Sequence, residues 1–362
     1  MEPRVRPPFD EFDNEAEMPL SASSDTLAAP TERPRALRWA KILLSEYFVL
    51  VLCVVYVAAI YPFVPEILSW EVASNILGDM MPLLVVGIGQ TFVLIIAGID
   101  LSITAIISMA AVVGASVMTG TDGYLSGSAL AVPAAIVAML AVGVLVGAVN
   151  GLSVVKLNMP SFIVTLATRM FFAGLAIWYV TFHSTSSSIA NLPEGFTSFA
   201  TGAVLGVPYT VALAVFIGLS AHVLLSHTQF GRWVYAVGAN SNAARISGVP
   251  VSRTILLTFL ISGACASVAA MMYASRMQTG SPIAGENILL DVIGAVVIGG
   301  TSLFGGKGKI VWTVFGVLFL LLIDTSMKLL GSSLFMIYII KGGVILLAAT
   351  VDTFRHHLLV NR

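Results

Sequence analysis

The sequence predicts an all-α integral membrane protein of about ten transmembrane helices, with both termini cytoplasmic. Three observations carry that reading. Only 10% of the 362 residues are charged and 57% are hydrophobic, whereas soluble domains are roughly a quarter charged. The apolar residues form long runs, among them Leu83–Gly98, Ile103–Met118, Ala129–Val149 and Ile310–Ile323, which contain no charged residue. A spanning helix needs roughly 20 predominantly apolar residues, and this many runs exceeds what one buried core would use. The third observation is the segregation of Lys and Arg described below.

Residues 1–41 read as a disordered cytoplasmic tail. Glu2, Asp10, Glu11, Asp13, Glu15 and Glu17 precede a Ser/Ala/Thr stretch, and Arg33, Arg35, Arg38 and Lys41 close it. Such a polar, Pro-containing segment buries too little apolar surface to offset its ordering entropy. Its acidic start is unlike a secretory signal. Residues 42–362 form the membrane domain. Its spans are expected near 46–66, 76–98, 101–119, 129–149, 160–181, 208–226, 254–275, 289–302, 310–329 and 334–351. Pro82 and the glycines of the second span predict a kink there. The eighth is short enough to be either tilted with its flanks or a half-helix.

The positive-inside rule tests this layout. With the N-terminus inside, the inner segments collect Arg4, Arg6, Arg33, Arg35, Arg38, Lys41, Lys156, Arg232, Arg245, Arg253, Lys307, Lys309, Arg355 and Arg362. The outer ones collect only Arg276 and Lys328, while Arg169 and Lys341 fall inside spans. Two connections are longer than a linker needs. An outer one, 182–207, is Ser/Thr-rich. An inner one, 227–253, contains Asn240 or Ser241 as a helix cap, with Gly248 and Pro250 as the stop. A helix of about two turns is marginal alone in water, so a protein partner is expected to hold it.

No catalytic set is visible. The five histidines lack partners at metal-ligand spacing, and Cys53 and Cys265 lie in apolar runs as packing residues. The run Gly299–Lys309 fails as a phosphate loop, because Lys307 is followed by Gly308 rather than Ser or Thr. Neither a metal nor a cofactor is expected in this chain, and the net charge of −1 gives no pointer to nucleic acid. Gly143, Gly147 and Gly151 are four apart and predict close helix packing, with a subunit contact as the alternative. Four intramembrane charges need partners: Arg169, Asp291, Asp324 and Lys341. Lys341 is expected to bridge structurally to Asp324 or Asp291, and Asp324 to pair with Lys328 one turn on. Polar residues that could line a path are Gln90, Asp100, Ser102, Ser161, Thr165 and Thr168, together with Thr91 and Thr104.

Several segments in order resemble the ribose/xylose/galactose-type permeases of bacterial ABC importers, over essentially residues 45–352. They are Ala97-Gly98-Ile99-Asp100-Leu101-Ser102; Asn150-Gly151 with Pro160–Leu166; Leu192-Pro193 with Gly206-Val207-Pro208; and Gly238–Gly248. Gly299-Gly300-Thr301-Ser302 and Gly305–Gly308 complete the set. The resemblance implies a type II importer-like permease in the bacterial inner membrane, working as a homo- or heterodimer. ATPase subunits would bind ATP and Mg below it, and a periplasmic sugar-binding protein would dock above. It also implies that Asn240, Ala243, Ala244, Arg245, Ser247 and Gly248 belong to the helix that docks on the ATPase. A branched-chain amino acid or nucleoside ABC permease is the alternative within this architecture. An ion-coupled secondary transporter is the alternative outside it, since Ala97–Ser102 and Gly299–Leu303 interrupt the two halves at comparable points.

Overall fold

The computed structural model describes residues 47–184, 186–204 and 206–360, with backbone alone at 351 and 354–360. The predicted tail 1–41 lies outside the described residues. Helices dominate: α1 (Phe48–Ile60), α2 (Trp70–Ile95), α3 (Ile103–Met118), α4 (Ala131–Lys156), α5 (Ser161–Val180) and α6 (Glu194–Thr201) come first. A two-strand hairpin, β1 (Ala203–Val204) and β2 (Val207–Pro208), leads into α7 (Tyr209–His227). Then follow α8 (Gln229–Ala239), α9 (Ser241–Ile246), α10 (Val251–Met277), α11 (Leu289–Gly299), α12 (Ile310–Leu329) and α13 (Leu334–Val360).

Six helices (α2, α4, α5, α7, α10 and α12) are long and apolar enough to cross a membrane. Four shorter apolar helices, Phe48–Ile60, Ile103–Met118, Leu289–Gly299 and Leu334–Thr350, overlap the remaining predicted spans. The first is shorter than its predicted span, because Pro65 begins a separate 3-10 turn, Pro65–Leu68. The second span starts earlier than predicted. Ser69 caps it by accepting from Val72 N at 3.3 Å, and the helix continues through Pro82 to Ile95.

The centre of the bundle is α2, 83% buried over its most apolar stretch, with α10 beside it at 61%. The α4–α10 contact is backbone to backbone. A Cβ on Gly143 would overlap the Gly263 carbonyl and Ser267, and one on Gly147 would meet the Phe259 carbonyl at 2.5 Å. The glycine spacing therefore serves internal packing rather than a subunit contact.

Two chain breaks shape the interior. Ile96–Ser102 separates α2 from α3, with Ala97 in the left-handed region at φ 59°. Gln278–Ile288 separates α10 from α11 and begins at left-handed Gln278, φ 54°. The second break does not stay at the bundle end. Gly280 pairs with Ile189 and sits against Ala111 and Ala115. Gly285 N then donates to Ser108 Oγ at 3.2 Å, and Gly285 packs on the Thr104 backbone. The segment thus returns about 10 Å along α3, the rise of seven helical residues, before α11 starts. The short eighth element is a half-helix preceded by a re-entrant strap.

Candidate functional site

The first break is closed by a buried polar node. Asp100 is fully buried. Its Oδ1 accepts from Ser102 N at 3.0 Å and Ser102 Oγ at 2.6 Å, and its Oδ2 accepts from Ser262 Oγ at 2.8 Å. Asn150 Nδ2 donates to Ser102 Oγ at 2.8 Å, and Thr168 Oγ1 donates to Asn150 Oδ1 at 2.8 Å. Ser161 Oγ accepts from Ile99 N at 3.2 Å, and Thr165 Oγ1 donates to Ile99 O at 3.0 Å. Five of the eight path candidates thus converge on residues 99–102, where they satisfy a turn that would otherwise leave buried backbone unpaired. Within one chain they tie α4, α5 and α10 together at this turn. Gln90 stands apart: it is fully buried on α2, and its amide has no partner among the described residues. The sequence reading missed Asn150 and Ser262 as members, since a single amide or hydroxyl in an apolar helix gives no spacing signal.

The charged residues separate into two groups. Lys341 Nζ on α13 lies 2.7 Å from Asp291 Oδ2 on α11 and 3.3 Å from Asp324 Oδ1 on α12. Lys328 Nζ holds the other Asp324 oxygen at 2.5 Å. Two carboxylates facing two ammonium groups make a neutral set that joins three helices. Arg169 is different. It is the ninth residue of α5, half-buried, and has neither an ion pair nor a hydrogen bond among the described residues.

The inner connection folds as two short helices joined at Asn240, whose backbone is extended. Thr228 Oγ1 accepts from Gly231 N at 3.2 Å to start α8, and Asn240 Oδ1 accepts from Ala243 N at 2.9 Å to start α9. Gly248, at φ +81°, ends α9: its N–H reaches Arg245 O at 3.1 Å, and Val249 N reaches Ala244 O at 3.0 Å. Ala244 turns inward against Val237 and Val251. Asn240, Ala243, Arg245, Ser247 and Gly248 are exposed, as is Ile246 at 89%. Ile246 is absent from the sequence-based candidates. Six residues are too few for a periodic apolar face to be read, so only the fold shows which side points out.

Behind α9, α8 abuts the chain breaks. A Cβ on Gly238 would overlap the Ile95 carbonyl oxygen, which accepts from Gly306 N at 2.8 Å. Tyr235 OH donates to Gly308 O at 2.6 Å, and burial raises its phenol above the ordinary value. Asp352 Oδ2 accepts from Ser302 Oγ at 3.1 Å and Leu303 N at 3.2 Å. The glycine-rich run 299–309 is therefore a clamped turn joining α8, α13 and the end of α2.

Residues 72–349 match the family described as branched-chain amino acid transport system / permease component. The chain belongs to this permease family. It is similar to the ribose import permease protein of Escherichia coli (strain K12), 34% identical over 312 residues that cover 86% of this chain and 95% of the relative. The ribose import permease protein of Bacillus subtilis (strain 168) is 37% identical over 268 residues, 74% of this chain and 80% of the relative. The D-allose transport system permease protein of Escherichia coli (strain K12) is 31% identical over 318 residues, 88% and 93% respectively. No solved structure matches the chain. A permease of this family with six long apolar helices is a multi-pass membrane protein.

Proposed function

We propose that this permease is the membrane-spanning subunit of an ATP-driven importer that passes a sugar, delivered by a periplasmic binding protein, across the bacterial inner membrane. The observation that carries it is α9: a capped, stopped, six-residue helix that buries only Ala244 and presents Arg245 and Ile246 outward. An 89% exposed isoleucine beside a free guanidinium is the surface of a docking element. The relatives named for ribose and D-allose favour a sugar as cargo. The ten-span layout with both ends cytoplasmic rests on the charge bias, with α8 and α9 on the cytoplasmic side.

A second permease copy completes the assembly. Arg169, unpaired at mid-span, is costly against lipid, and a facing subunit or a water-filled path between two copies removes that cost. ATP and Mg belong to the partner ATPase. Closure of the ATPase pair would displace α9, and α8 would carry the displacement through Gly238 to Ile95 and the first break. Such a push biases a two-state element between inward and outward openings.

The test is reconstitution of permease, ATPase and binding protein in proteoliposomes. Uptake of ribose or a related sugar that requires both ATP and the binding protein supports the reading. Uptake by the permease alone, driven by a proton or sodium gradient, refutes it and favours the ion-coupled carrier.

A further inference from the structure

We infer that a cavity at the outer end of the bundle, walled by Asn75, Thr201, Thr210 and Gln278, binds a neutral polyol of monosaccharide size. The choice of a sugar rests on the importer reading above. The cavity holds about 260 Å³, just below the roughly 300 Å³ at which drug-sized sites begin. It lies between the starts of α2 and α7, the end of α10, and the unit formed by α6 and the hairpin. Its side follows from the charge bias: Arg276, at its rim, is one of only two cations assigned to the outer segments. The Gly206-Val207-Pro208 segment turns the hairpin, with Gly206 at φ +82°, and Pro208 lines the cavity. Ser275 Oγ donates to Phe196 O at 2.9 Å and accepts from Ala200 N at 3.0 Å, which pins α6 to α10 and closes that wall.

Asn75, Thr201, Thr210 and Gln278 carry amides or hydroxyls, and none makes a side-chain hydrogen bond among the described residues. Thr210 is the telling one. It is the second residue of α7 and only 9% exposed, and the surface it keeps belongs to the cavity wall. A buried hydroxyl is ordinarily hydrogen-bonded, and this one is left free for a ligand. Arg276 does not make the cavity an anion site. Its Nη1 lies 2.9 Å from Asp79 Oδ1, and the guanidinium rests on α2 at Gly78, where a Cβ would meet Nη1 at 2.8 Å. The pair is neutral. What remains is two hydroxyls and two primary amides, all of which both donate and accept. Pro82, Val211 and Met272 add an apolar surface. Hydroxyl edges around a C–H face, without net charge, are the chemistry of a sugar ring.

The experiment uses the permease–ATPase complex in nanodiscs without ATP, with D-ribose and D-allose as probes. Cys53 and Cys265 are buried, so Asn75→Cys and Thr201→Cys can be introduced into the native chain and reacted with a charged methanethiosulfonate. Saturating sugar is expected to slow both reactions about fivefold or more. Ser187→Cys, exposed in the same outer connection but not in the cavity wall, should react at an unchanged rate. Thr210→Val, added to Asn75→Cys, keeps the side-chain shape and removes the hydroxyl. It should raise the half-protecting sugar concentration about five- to tenfold, the loss of one hydrogen bond, with the Tm unchanged. Rates indifferent to both sugars would overturn the proposal, and so would equal protection with and without the Thr210 hydroxyl. Protection by succinate instead would overturn it in favour of an anion site on Arg276, and protection by added phosphatidylethanolamine alone in favour of a lipid headgroup. Protection is read without transport, so sugar protection in a complex that lacks ATP-dependent uptake would sink the importer reading and leave the site standing.

Discussion

Replacing Lys341 with Met tests the charge set that joins the last three helices. Lys341 Nζ sits 2.7 Å from Asp291 and 3.3 Å from Asp324, with its side chain 9% exposed. Lys328, by contrast, is 61% exposed and touches Asp324 alone. Without Lys341, Asp324 keeps a cation and Asp291 keeps none. Removing one partner of a buried pair costs about 3–5 kcal/mol, because the other charge is left desolvated. An exposed pair is worth about 0–1 kcal/mol. Lys341→Met should therefore lower the Tm of the detergent-solubilised protein by on the order of 10 °C, and Lys328→Met by no more than a few degrees. The double variant Asp291→Asn/Lys341→Met removes the stranded charge and should regain most of the loss. Thermal unfolding followed by tryptophan fluorescence reads all three. Equal losses for Lys341→Met and Lys328→Met, or a double variant weaker than the single, would refute the assignment of Asp291 as the dependent partner.

Three further outcomes concern the α8–α9 end. Gly238→Ala places a methyl on the Ile95 carbonyl, with backbone on both sides and nothing flexible to yield; it should leave ATPase binding intact and abolish sugar uptake in proteoliposomes. Arg245→Glu combined with Ile246→Ser should weaken capture of the ATPase by about 30-fold or more, the loss expected of a central anchor, in a pull-down from detergent. Gly248, at φ +81°, should accept Ala at a cost of about 1–2 kcal/mol with reduced uptake. Proline, whose ring fixes φ near −65°, should abolish uptake with the protein still in the membrane. Unchanged uptake in Gly248→Pro would remove α9 from the coupling route.

Much of the architecture was legible because its signals are local. Asn240 as cap and Gly248 as stop delimit α9 before any contact is known, since both act on their own backbone. Lys341 announced its need for a carboxylate because an isolated ammonium within a span is too costly to leave bare. Other features were not legible, for one common reason: they depend on depth and facing. The segment from Thr279 to Gly285 reads as an ordinary loop, and only the contacts of Gly280 with Ala111 and of Gly285 with Thr104 reveal that it descends into the bundle. Ile246 and Ala244 are two residues apart in one short helix, and which of them is exposed depends on where Val237 and Val251 pack. The polar path candidates carried a further ambiguity. Hydroxyls such as Ser161 and Thr165 serve equally to line a channel or to satisfy a buried turn, and here their partners are the backbone of Ile99.

The two breaks have a mechanical consequence under the proposed function. A continuous helix resists bending at its middle, because every residue is held in an i to i−4 ladder. The Ile95 carbonyl instead lies at the end of α2, held by Gly306 N and pressed by Gly238. A displacement of α8 reaches it without a side chain to absorb the movement. Beyond it, Ile96–Ser102 carries Asp100, whose three hydrogen bonds fix the turn to α10 directly and to α4 through Asn150. Two residues past Ser102, Thr104 touches Gly285, so the inner break ends against the re-entrant strap. A push arriving from the ATPase side would therefore reach the strap by way of two turns. Breaking the route at Gly238 should then abolish the response of transport to ATP while the permease still binds the ATPase.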